Sequence, residues 1–478
     1  VIMKVKGGFL MYLLAFLGII VGVILILLCI MIFSPGTSIF GLEWISKNTT
    51  GTYASYEDYF KEISNYDTVV INSLHNDPNG NNVGYGYYNV DIRAGVRDAV
   101  NSNIVIENMI QGLVKTSDKT EFNVSFNEEQ VDGANWLYVN VVQANTWLAS
   151  TSACKITLNI PASQDISNTN FIVNTGSGSI DFGGSAGRDS DPVALRTKSI
   201  TATSTSGSIV MQELTTASES INLKTGSGRV NIYPETLTTG TITIESESGR
   251  IILPSEINTS TLTLVTDKST IDGGNVNGNL TLDTKMGVVR LGNINGNVIG
   301  TEKLNGTDIR LNNVSGELGI PQATSVILEA NKVDGFVNIV TEGGRIYIGS
   351  EEEGLSSRAN ISTTSGEIKV FVPSTNNQLI NLTTTSGRIT AYIATSNGHK
   401  NITTENGSID VKLAQSTSYD LISETKNTTS LLWDETEVNN DIVYRELRGT
   451  DEFTNSILKI KSNTGKVEIE RLTELAFN

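Results

Sequence analysis

A short phrase recurs along most of this 478-residue sequence: a polar–Gly turn, followed by two aliphatic residues two positions apart. Two clear copies are "TGSGRVNIY" from Thr225 and "TSGRITAYI" from Thr385. The step between neighbouring copies is usually about twenty-one residues, a period typical of solenoids, in which each repeat buries its apolar face only against the next. The turn glycines are Gly178, Gly207, Gly228, Gly249, Gly344, Gly366, Gly387, Gly407 and Gly465.

Within each repeat, apolar residues alternate with polar ones and therefore point to one face of a strand. Because each strand recurs in the same direction, the fold class predicted is all-β, a parallel β-solenoid (β-helix) of roughly thirteen coils, about 60 Å long at the usual strand spacing. Ser or Thr before each turn is expected to form hydroxyl ladders, and the turn Gly is expected to need positive φ. The predicted core includes Ile221, Leu223, Val230, Ile232, Ile242, Ile244, Ile251 and Leu253.

The composition excludes one class of partner. The net charge is −17 and the pI is about 4.7, whereas binding to nucleic acid requires clustered Lys and Arg. The two cysteines, Cys29 and Cys154, lie in an apolar run and at the start of a predicted strand. A disulfide between them is not expected, so the solenoid does not depend on one.

The N-terminus predicts a single transmembrane helix. About twenty-five uncharged, mostly aliphatic residues run from Phe9 to Phe33, which is long enough to span a bilayer. Lys4 and Lys6 precede the run, and Glu43 is the first charged residue after it. The positive-inside rule therefore predicts a single-pass plasma (inner) membrane protein with a cytoplasmic N-terminus and the bulk extracytoplasmic or at the cell surface.

Two alternatives to an uncleaved signal-anchor remain. A cleaved signal peptide would have a shorter apolar region and a small-x-small site, and "IFSPGTS" matches such a site poorly. A lipoprotein signal ending at Cys29 would need a small residue where Leu28 stands.

Gly18 and Gly22 have the GxxxG spacing that allows two membrane helices to approach closely, which indicates helix association.

The rest of the chain divides by pattern. A helix is expected at Tyr56–Ser64, either capping the solenoid or lying at the membrane surface. The predicted domains are a cytoplasmic tip (1–8), the transmembrane helix (9–33), a juxtamembrane segment with this helix (34–65), an irregular β-rich section (66–154), the solenoid (155–470) with an excursion near 426–455, and a tail (471–478).

Two surface features are candidate binding sites. Arg345, Glu367 and Arg388 follow the turn Gly in successive coils and form a charge ladder, which is either a binding stripe or a solvated network of pairs. The excursion is too apolar for a simple solvated loop and is the predicted partner surface; its apolar residues are Leu431, Leu432, Trp433 and Tyr444.

The sequence offers no readable catalytic chemistry. His75 and His399 lie in loop-like contexts without Cys or His nearby, and there is no nucleophile elbow, phosphate loop or dinucleotide fingerprint. We therefore expect no catalytic, metal-binding or cofactor-binding residues and no enzymatic activity. The alternatives are a carbohydrate-active β-helix enzyme, which would need clustered carboxylates, and an envelope-sensing accessory protein of a membrane complex.

The phrase "KITLNIPAS…FIVNTGSGSIDF" and the serial "TSGxIxV" coils resemble a bacterial family of putative adhesins, defined by a β-strand repeat. The resemblance covers roughly 65–470 and implies a β-solenoid displayed at the envelope, often beside membrane-anchored or regulatory partners, with no catalytic residues to carry over. The resulting expectation is a structural, adhesive or scaffolding protein. Its expected partners are the membrane, further copies of itself or another envelope protein, and a glycan or host surface, but not nucleic acid.

Overall fold

The structure is a computed structural model, and it describes one α-helix and 38 β-strands. The helix is α1 (Gly7–Phe33), and a short 3₁₀ turn follows at Ile63–Asn65. The residues described are 7–33, 38–39, 42–45, 63–76, 82–85, 88–96, 101–115, 123–143, 149–183, 194–301, 304–350, 353–426, 429–431, 436–438, 442–447 and 456–473. The predicted helix Tyr56–Ser64 lies outside these residues except for its last two positions, which belong to the 3₁₀ turn.

The chain divides into two compact units, each described here by itself. The first unit comprises Val1–Leu195 and Ala202–Gly207, and the second comprises Arg196–Thr201 and Ser208–Asn478. The first unit holds α1 and the strands β1 (Ser38–Ile39), β2 (Leu42–Ile45), β3 (Thr68–Asn76), β4 (Asn82–Tyr85), β5 (Asn89–Val96), β6 (Asn103–Lys115), β7 (Asn123–Val131), β8 (Ala134–Gln143), β9 (Ala149–Pro161), β10 (Asn170–Thr175) and β11 (Ile180–Phe182).

Strand β12 (Leu195–Ser204) is shared between the units, and the remaining strands belong to the second. They are β13 (Ile209–Met211), β14 (Thr215–Thr225), β15 (Val230–Ile232), β16 (Thr236–Thr238), β17 (Thr241–Ser246), β18 (Ile251–Ile252), β19 (Glu256–Thr266), β20 (Thr270–Asp272), β21 (Asn275–Thr284), β22 (Val288–Arg290), β23 (Val298–Gly300), β24 (Asn305–Val314), β25 (Leu318–Val333), β26 (Val337–Ile348), β27 (Ala359–Thr363), β28 (Glu367–Val372), β29 (Ile380–Thr384), β30 (Ile389–Ile393), β31 (Lys400–Thr404), β32 (Ile409–Ala414), β33 (Tyr419–Thr425), β34 (Thr429–Leu431), β35 (Thr436–Val438), β36 (Ile442–Leu447), β37 (Ile457–Ser462) and β38 (Val467–Leu472).

Successive coils of the second unit stack in parallel with matched apolar positions. Ile221 is paired with Ile242, which is paired in turn with Leu262, and Val230 is paired with Ile251. The eight core residues predicted from the alternation are all buried. The predicted fold class, a parallel β-solenoid preceded by one apolar helix, is confirmed.

The turn between the two strands of a coil is held by its buried hydroxyl. Ser246 Oγ accepts a hydrogen bond from the N–H of Gly249 at 3.1 Å, and Thr404 Oγ1 accepts one from Gly407 at 2.9 Å. The predicted column of hydroxyls beside the turn is therefore present, and the hydroxyls of Ser246 and Thr404 also satisfy a buried N–H. Because an unpaired buried donor costs free energy, this arrangement explains the preference for Ser and Thr at this position.

The turn glycines are needed for close packing between coils. The sequence pattern predicts instead that they are needed for a positive φ. Among them only Gly344 has positive φ, of 107°. A Cβ added to Gly249 would lie 1.6 Å from the carbonyl oxygen of Gly228 in the neighbouring coil, and one on Gly387 would lie 1.8 Å from that of Gly366. Any side chain here would push two coils apart.

The order of coils in the first unit differs from their order in the sequence. Strand β3 lies between β8 and β10, because Thr68 is paired in parallel with Trp136 on one side and with Asn170 on the other. Strand β5 lies in the same way between β9 and β11. Parallel coils therefore begin at Thr68, well before the start near Lys155 that the sequence predicts. The long insertion between β5 and β8 hides the repeat from a search for a period.

Antiparallel strands cover the end coil of the first unit, which is formed by β8 and β9. Strand β7 pairs antiparallel with β8, and β6 pairs antiparallel with β9. Strand β2 then pairs antiparallel with β6. The parallel stacking stops here because the covering strands run in the opposite direction.

The C-terminal end of the second unit repeats this arrangement. Strands β37 and β38, the last in the sequence, lie inside the stack: Leu458 is paired with Lys400 on one side and with Leu421 on the other. The end coil is formed by β33 and β34, which β36 and β35 cover in antiparallel fashion. The predicted excursion near 426–455 therefore contributes three strands to the end of the solenoid, β34, β35 and β36.

Candidate functional site

The first candidate surface is the apolar helix. Met11–Ile30 has a mean hydropathy of 3.3, and none of it is buried inside the described structure. Its length and composition are compatible with a membrane anchor or a signal sequence. Gly18 and Gly22 lie four residues apart on one face of α1, and a Cβ added to either would meet nothing within 4 Å. No contact with the described residues requires Gly at these positions.

The second candidate surface is the charge ladder of Arg345, Glu367 and Arg388. Arg345 is paired in register with Glu367, but the Glu367 carboxylate accepts a hydrogen bond of 2.7 Å from the hydroxyl of Tyr347. Arg388 forms an ion pair of 3.4 Å with Asp410 on the following coil. The ladder is thus built into a wider network of pairs, and exposed pairs of this kind contribute roughly 0–1 kcal/mol each.

The same outer face carries stacked cations and aromatic rings. The Lys369 ammonium lies 6.0 Å from the centre of the Tyr347 ring and 5.7 Å from that of Tyr392, and Lys412 lies 5.5 Å from Tyr392. Burial lowers the pKa of Lys369, and burial together with the hydrogen bond to Glu367 raises the pKa of Tyr347. These lysines therefore contact aromatic rings along the coil stack.

The predicted partner surface is only partly described. Leu431 is 1% exposed and belongs to the interior of the end coil, so it cannot line an exposed surface. Tyr444 lies in β36, the strand that covers β33, and is paired with Ile422. Leu432 and Trp433 lie outside the described residues.

Beside Tyr444, the edge of β33 and β36 forms a shallow pocket of about 360 Å³. Its lining combines charged and apolar residues, so this edge has a mixed surface; the residues are Asp420, Leu421, Ile422, Arg445, Glu446 and Ile457. Of the predicted apolar patch, the described residues therefore place one member inside the end coil and one on its covering strand.

Metal and cofactor chemistry finds little support in the described ranges. No group of three or more His, Cys, Asp or Glu side chains there could hold a metal ion. The Nδ1 atom of His399 accepts a hydrogen bond of 3.2 Å from the N–H of Ile457, which ties the loop before β31 to the start of β37. In this structure His399 therefore makes a structural contact.

One feature that sequence reasoning missed is a buried lysine. Lys400 occupies a core position that Ile380 and Leu458 hold in the flanking coils, and it is 1% exposed. Its Nζ donates hydrogen bonds of 2.8 and 2.9 Å to the carbonyl oxygens of Gln378 and Asn397. Burial lowers the pKa of this ammonium to about 8. The sequence does contain a signal that could have revealed this buried lysine, because Lys400 stands at a position of the repeat that is otherwise aliphatic.

A second missed feature is an aromatic groove beside β7 and β8. Trp136 and Tyr138 lie on the face opposite to Leu137 and Val139, which are fully buried. The two rings stack with their centres 5.8 Å apart. The alternation in "NWLYVNVV" could have revealed them, because it places two aromatic residues together on the outer face of a strand.

The groove is closed by polar residues from two segments. Tyr66 donates its hydroxyl hydrogen to Glu128 Oε1 at 2.8 Å, and the N–H of Asn135 donates to Asp67 Oδ2 at 2.7 Å. The pocket that these residues line is open to solvent and has a volume of about 450 Å³, which is within the usual range for small-molecule sites. Such a lining can stack on an apolar ring face and form hydrogen bonds at the rim.

Comparison with known proteins gives a family but no assigned function. Two solved structures resemble the chain: a putative cell adhesion protein from Clostridium sporogenes (9% identity, 86% of this chain and 97% of that one, TM-score 0.14) and a putative lipid binding protein from Parabacteroides distasonis (11% identity, 90% and 99%, TM-score 0.22). At these scores neither likeness supports an argument. No match was found among curated proteins.

The family model of Toastrack DUF4097 matches residues 87–412. The match begins just before β5, ahead of the regular repeat, and ends in β32, so it includes coils of both units. It agrees with the resemblance to a β-strand-repeat family that the sequence alone suggests. Since it covers more than half of the sequence, the chain belongs to the Toastrack DUF4097 family.

Proposed function

We propose that this protein is a membrane-anchored, extracytoplasmic β-solenoid that acts as a structural, adhesive or scaffolding protein through protein–protein assembly. The observation that carries the proposal is the combination of an exposed apolar helix of 27 residues with a body of parallel coils. The helix would hold the chain in the membrane, and the coils would present their side faces to partners.

The ends of the two units favour assembly through faces and not through end-to-end growth. An open strand edge recruits another chain unless it is covered. Here β7 and β6 cover the end coil of the first unit, and β36 and β35 cover that of the second. Because these strands run antiparallel, a coil of another molecule would not continue the parallel stack.

The Gly18 and Gly22 face of α1 is the proposed contact between copies of the chain in the membrane. Small residues allow two helix backbones to approach closely, and confinement in the membrane raises the effective concentration of weak contacts. The net charge of −17 opposes association through repulsion, so the solenoid bodies would meet only where their charges are already paired.

The topology is tested by protease shaving of intact cells that express the full chain. We expect the bulk of the chain to be removed and the N-terminal tip to be protected. Full protection with an intact membrane would reject the proposed orientation, and release of a soluble chain that lacks α1 would favour a cleaved signal sequence.

Assembly is tested by crosslinking in native membranes. Gly18→Leu and Gly22→Leu should reduce the crosslinked dimer, because a leucine side chain separates the helices. Ile20→Leu and Ile24→Leu are matched controls on the opposite face of α1 and should leave it unchanged. A strictly monomeric wild-type chain with no co-purifying protein would remove the case for assembly.

A further inference from the structure

The aromatic groove of the first unit, lined by Tyr66, Trp136, two glutamates and three amide side chains, is built from a tight hairpin. Strands β7 and β8 are joined by Asp132 and Gly133, which both have positive φ (50° and 84°). Their pairing sets Glu129 directly opposite Trp136 and Gln130 opposite Asn135. Because paired residues share a face and neighbours along a strand alternate, Glu129 lies on the face of the indole ring and the Gln130–Asn135 amide pair lies on the other face of the hairpin.

Hydrogen bonds hold the rim in position. Gln130 Nε2 donates to Asn135 Oδ1 at 3.3 Å, and the Tyr66 hydroxyl donates to Glu128 Oε1 at 2.8 Å. Trp136 is half-buried and stacks on Tyr138 at 5.8 Å, so its ring is fixed while part of its surface faces solvent. Side chains that are held before a ligand arrives lose less conformational entropy on binding.

The chemistry of the lining selects a class of ligand. None of the described residues that line the pocket is basic, and two of them are glutamates, so phosphate, sulfate and uronate groups would be repelled. An indole ring offers a flat apolar surface, and carboxylates and amides accept or donate pairs of hydrogen bonds. A pyranose ring matches both, because it has an apolar C–H face and neighbouring hydroxyl groups that each donate and accept.

We propose that this groove is a binding site for a neutral saccharide unit of a surface glycan. The sugar ring would stack on Trp136, and its hydroxyl groups would donate to Glu129, which shares the face of the indole ring. The biological role rests on the proposed extracytoplasmic orientation, but the binding itself does not.

The test uses the full chain in lipid nanodiscs, since glycoside detergents would compete for the groove. The neutral probes are cello-, malto- and mannotetraose and the tetramer of N-acetylglucosamine, with trigalacturonate as the anionic comparator and a glucosamine oligomer as the cationic one. Calorimetry should show binding of at least one neutral probe, with a Kd on the order of 10⁻⁴ to 10⁻³ M, and none of trigalacturonate. Failure of the cell-shaving experiment would not affect this result.

Trp136→Ala should weaken binding of the neutral probe at least tenfold. Tyr233→Ala, which removes a half-exposed aromatic ring from the second unit, should leave it unchanged. Should Trp136→Ala fail to fold, Glu129→Ala on the exposed hairpin should still weaken binding about fivefold.

Glu129→Gln distinguishes a neutral saccharide from a cationic one, the two classes of ligand that a groove with glutamates could bind. The neutral saccharide should lose less than about tenfold in affinity, since the amide keeps an acceptor. The proposal is overturned if no neutral probe binds at 10 mM, if the glucosamine oligomer binds more tightly than every neutral probe, or if Tyr233→Ala weakens binding as much as Trp136→Ala.

Discussion

The middle coils of the second unit and the end coils of both units are all built from parallel strands. They differ in how the order of the coils in space relates to their order in the sequence. In the middle, each coil stacks on the one before it in the sequence, as Ile221, Ile242 and Leu262 do. At the ends, the parallel coil nearest to the chain terminus lies inside the stack, and a coil that is further from that terminus in the sequence lies outside it.

The difference shows how a solenoid can close its ends without a separate capping domain. The first parallel strand, β3, and one strand of the last coil, β37, have a parallel neighbour on each side. The outer coil is then covered by strands of the same chain that run antiparallel. Terminal strands with neighbours on both sides fray less, and the parallel edge is not offered to other chains.

The largest effect is expected from the turn glycines of the middle coils. Gly249→Ala would place a Cβ 1.6 Å from the carbonyl oxygen of Gly228, so two coils must separate. We expect a loss of more than about 4 kcal/mol in the free energy of unfolding, measured by denaturant titration. Gly319→Ala is the matched control, because its Cβ would meet only Val298 O at 3.9 Å, and it should change stability by less than about 1 kcal/mol.

Gly465→Ala applies the same test to the end of the second unit. Its Cβ would lie 1.4 Å from Gly407 O, an even closer approach. Because the coil of β37 and β38 has only the end coil beyond it, hydrogen exchange should show loss of protection confined to 400–472. Equal loss of protection in the middle coils after this substitution would contradict the distinction between middle and end.

Periodicity in the sequence predicts the middle coils because neighbours in space are also neighbours in the sequence. It places the start near Lys155 because β8 is paired with β3, and a long insertion with antiparallel strands separates the two. The register of Arg345 with Glu367 follows from the repeat. The bond from Tyr347 to Glu367 does not, because it depends on side-chain conformation.

Lys400 gives the next largest expected effect, at the junction between the middle coils and the end. The folded pKa is about 8 and the ordinary value is 10.5, so the unfolded state binds more protons between these values and stability rises with pH there. The wild type should gain about 3 kcal/mol relative to Lys400→Met as the pH rises from 7 to 10.5.

At neutral pH Lys400→Met removes a buried charge but also two hydrogen bonds to carbonyl oxygens, so the pH dependence is the more direct readout. Paired denaturant titrations of both proteins between pH 7 and 10.5 measure it. A difference in stability that does not change with pH would show that the ammonium is solvated in the folded state, and Lys400 would then not distinguish the end coils from the middle by a buried charge.

The hydroxyl beside the turn should have a smaller effect. Thr404→Val keeps the shape but leaves the buried N–H of Gly407 without its acceptor, which should cost about 1–2 kcal/mol. Thr266→Val is the control in a middle coil, because Thr266 Oγ1 is buried without a hydrogen-bond partner, and it should be neutral or slightly stabilising. Equal losses in thermal stability for the two variants would mean that the hydroxyls act through packing alone.

The smallest effect is expected for the charged outer face of the middle coils. Asp272 accepts ion pairs from Arg250 at 2.9 Å and from Arg290 at 3.2 Å, and both arginines are about half exposed. Asp272→Asn should therefore lower the free energy of unfolding by less than about 1 kcal/mol, and the difference should shrink between 0.05 and 1 M salt, because salt screens exposed charges.

Arg388 and Asp410 form the matching pair nearer to the C-terminal end. If Asp410→Asn has a much larger, salt-insensitive effect, then this pair couples the covered end to the middle coils, and charge pairing as well as strand order distinguishes the two regions.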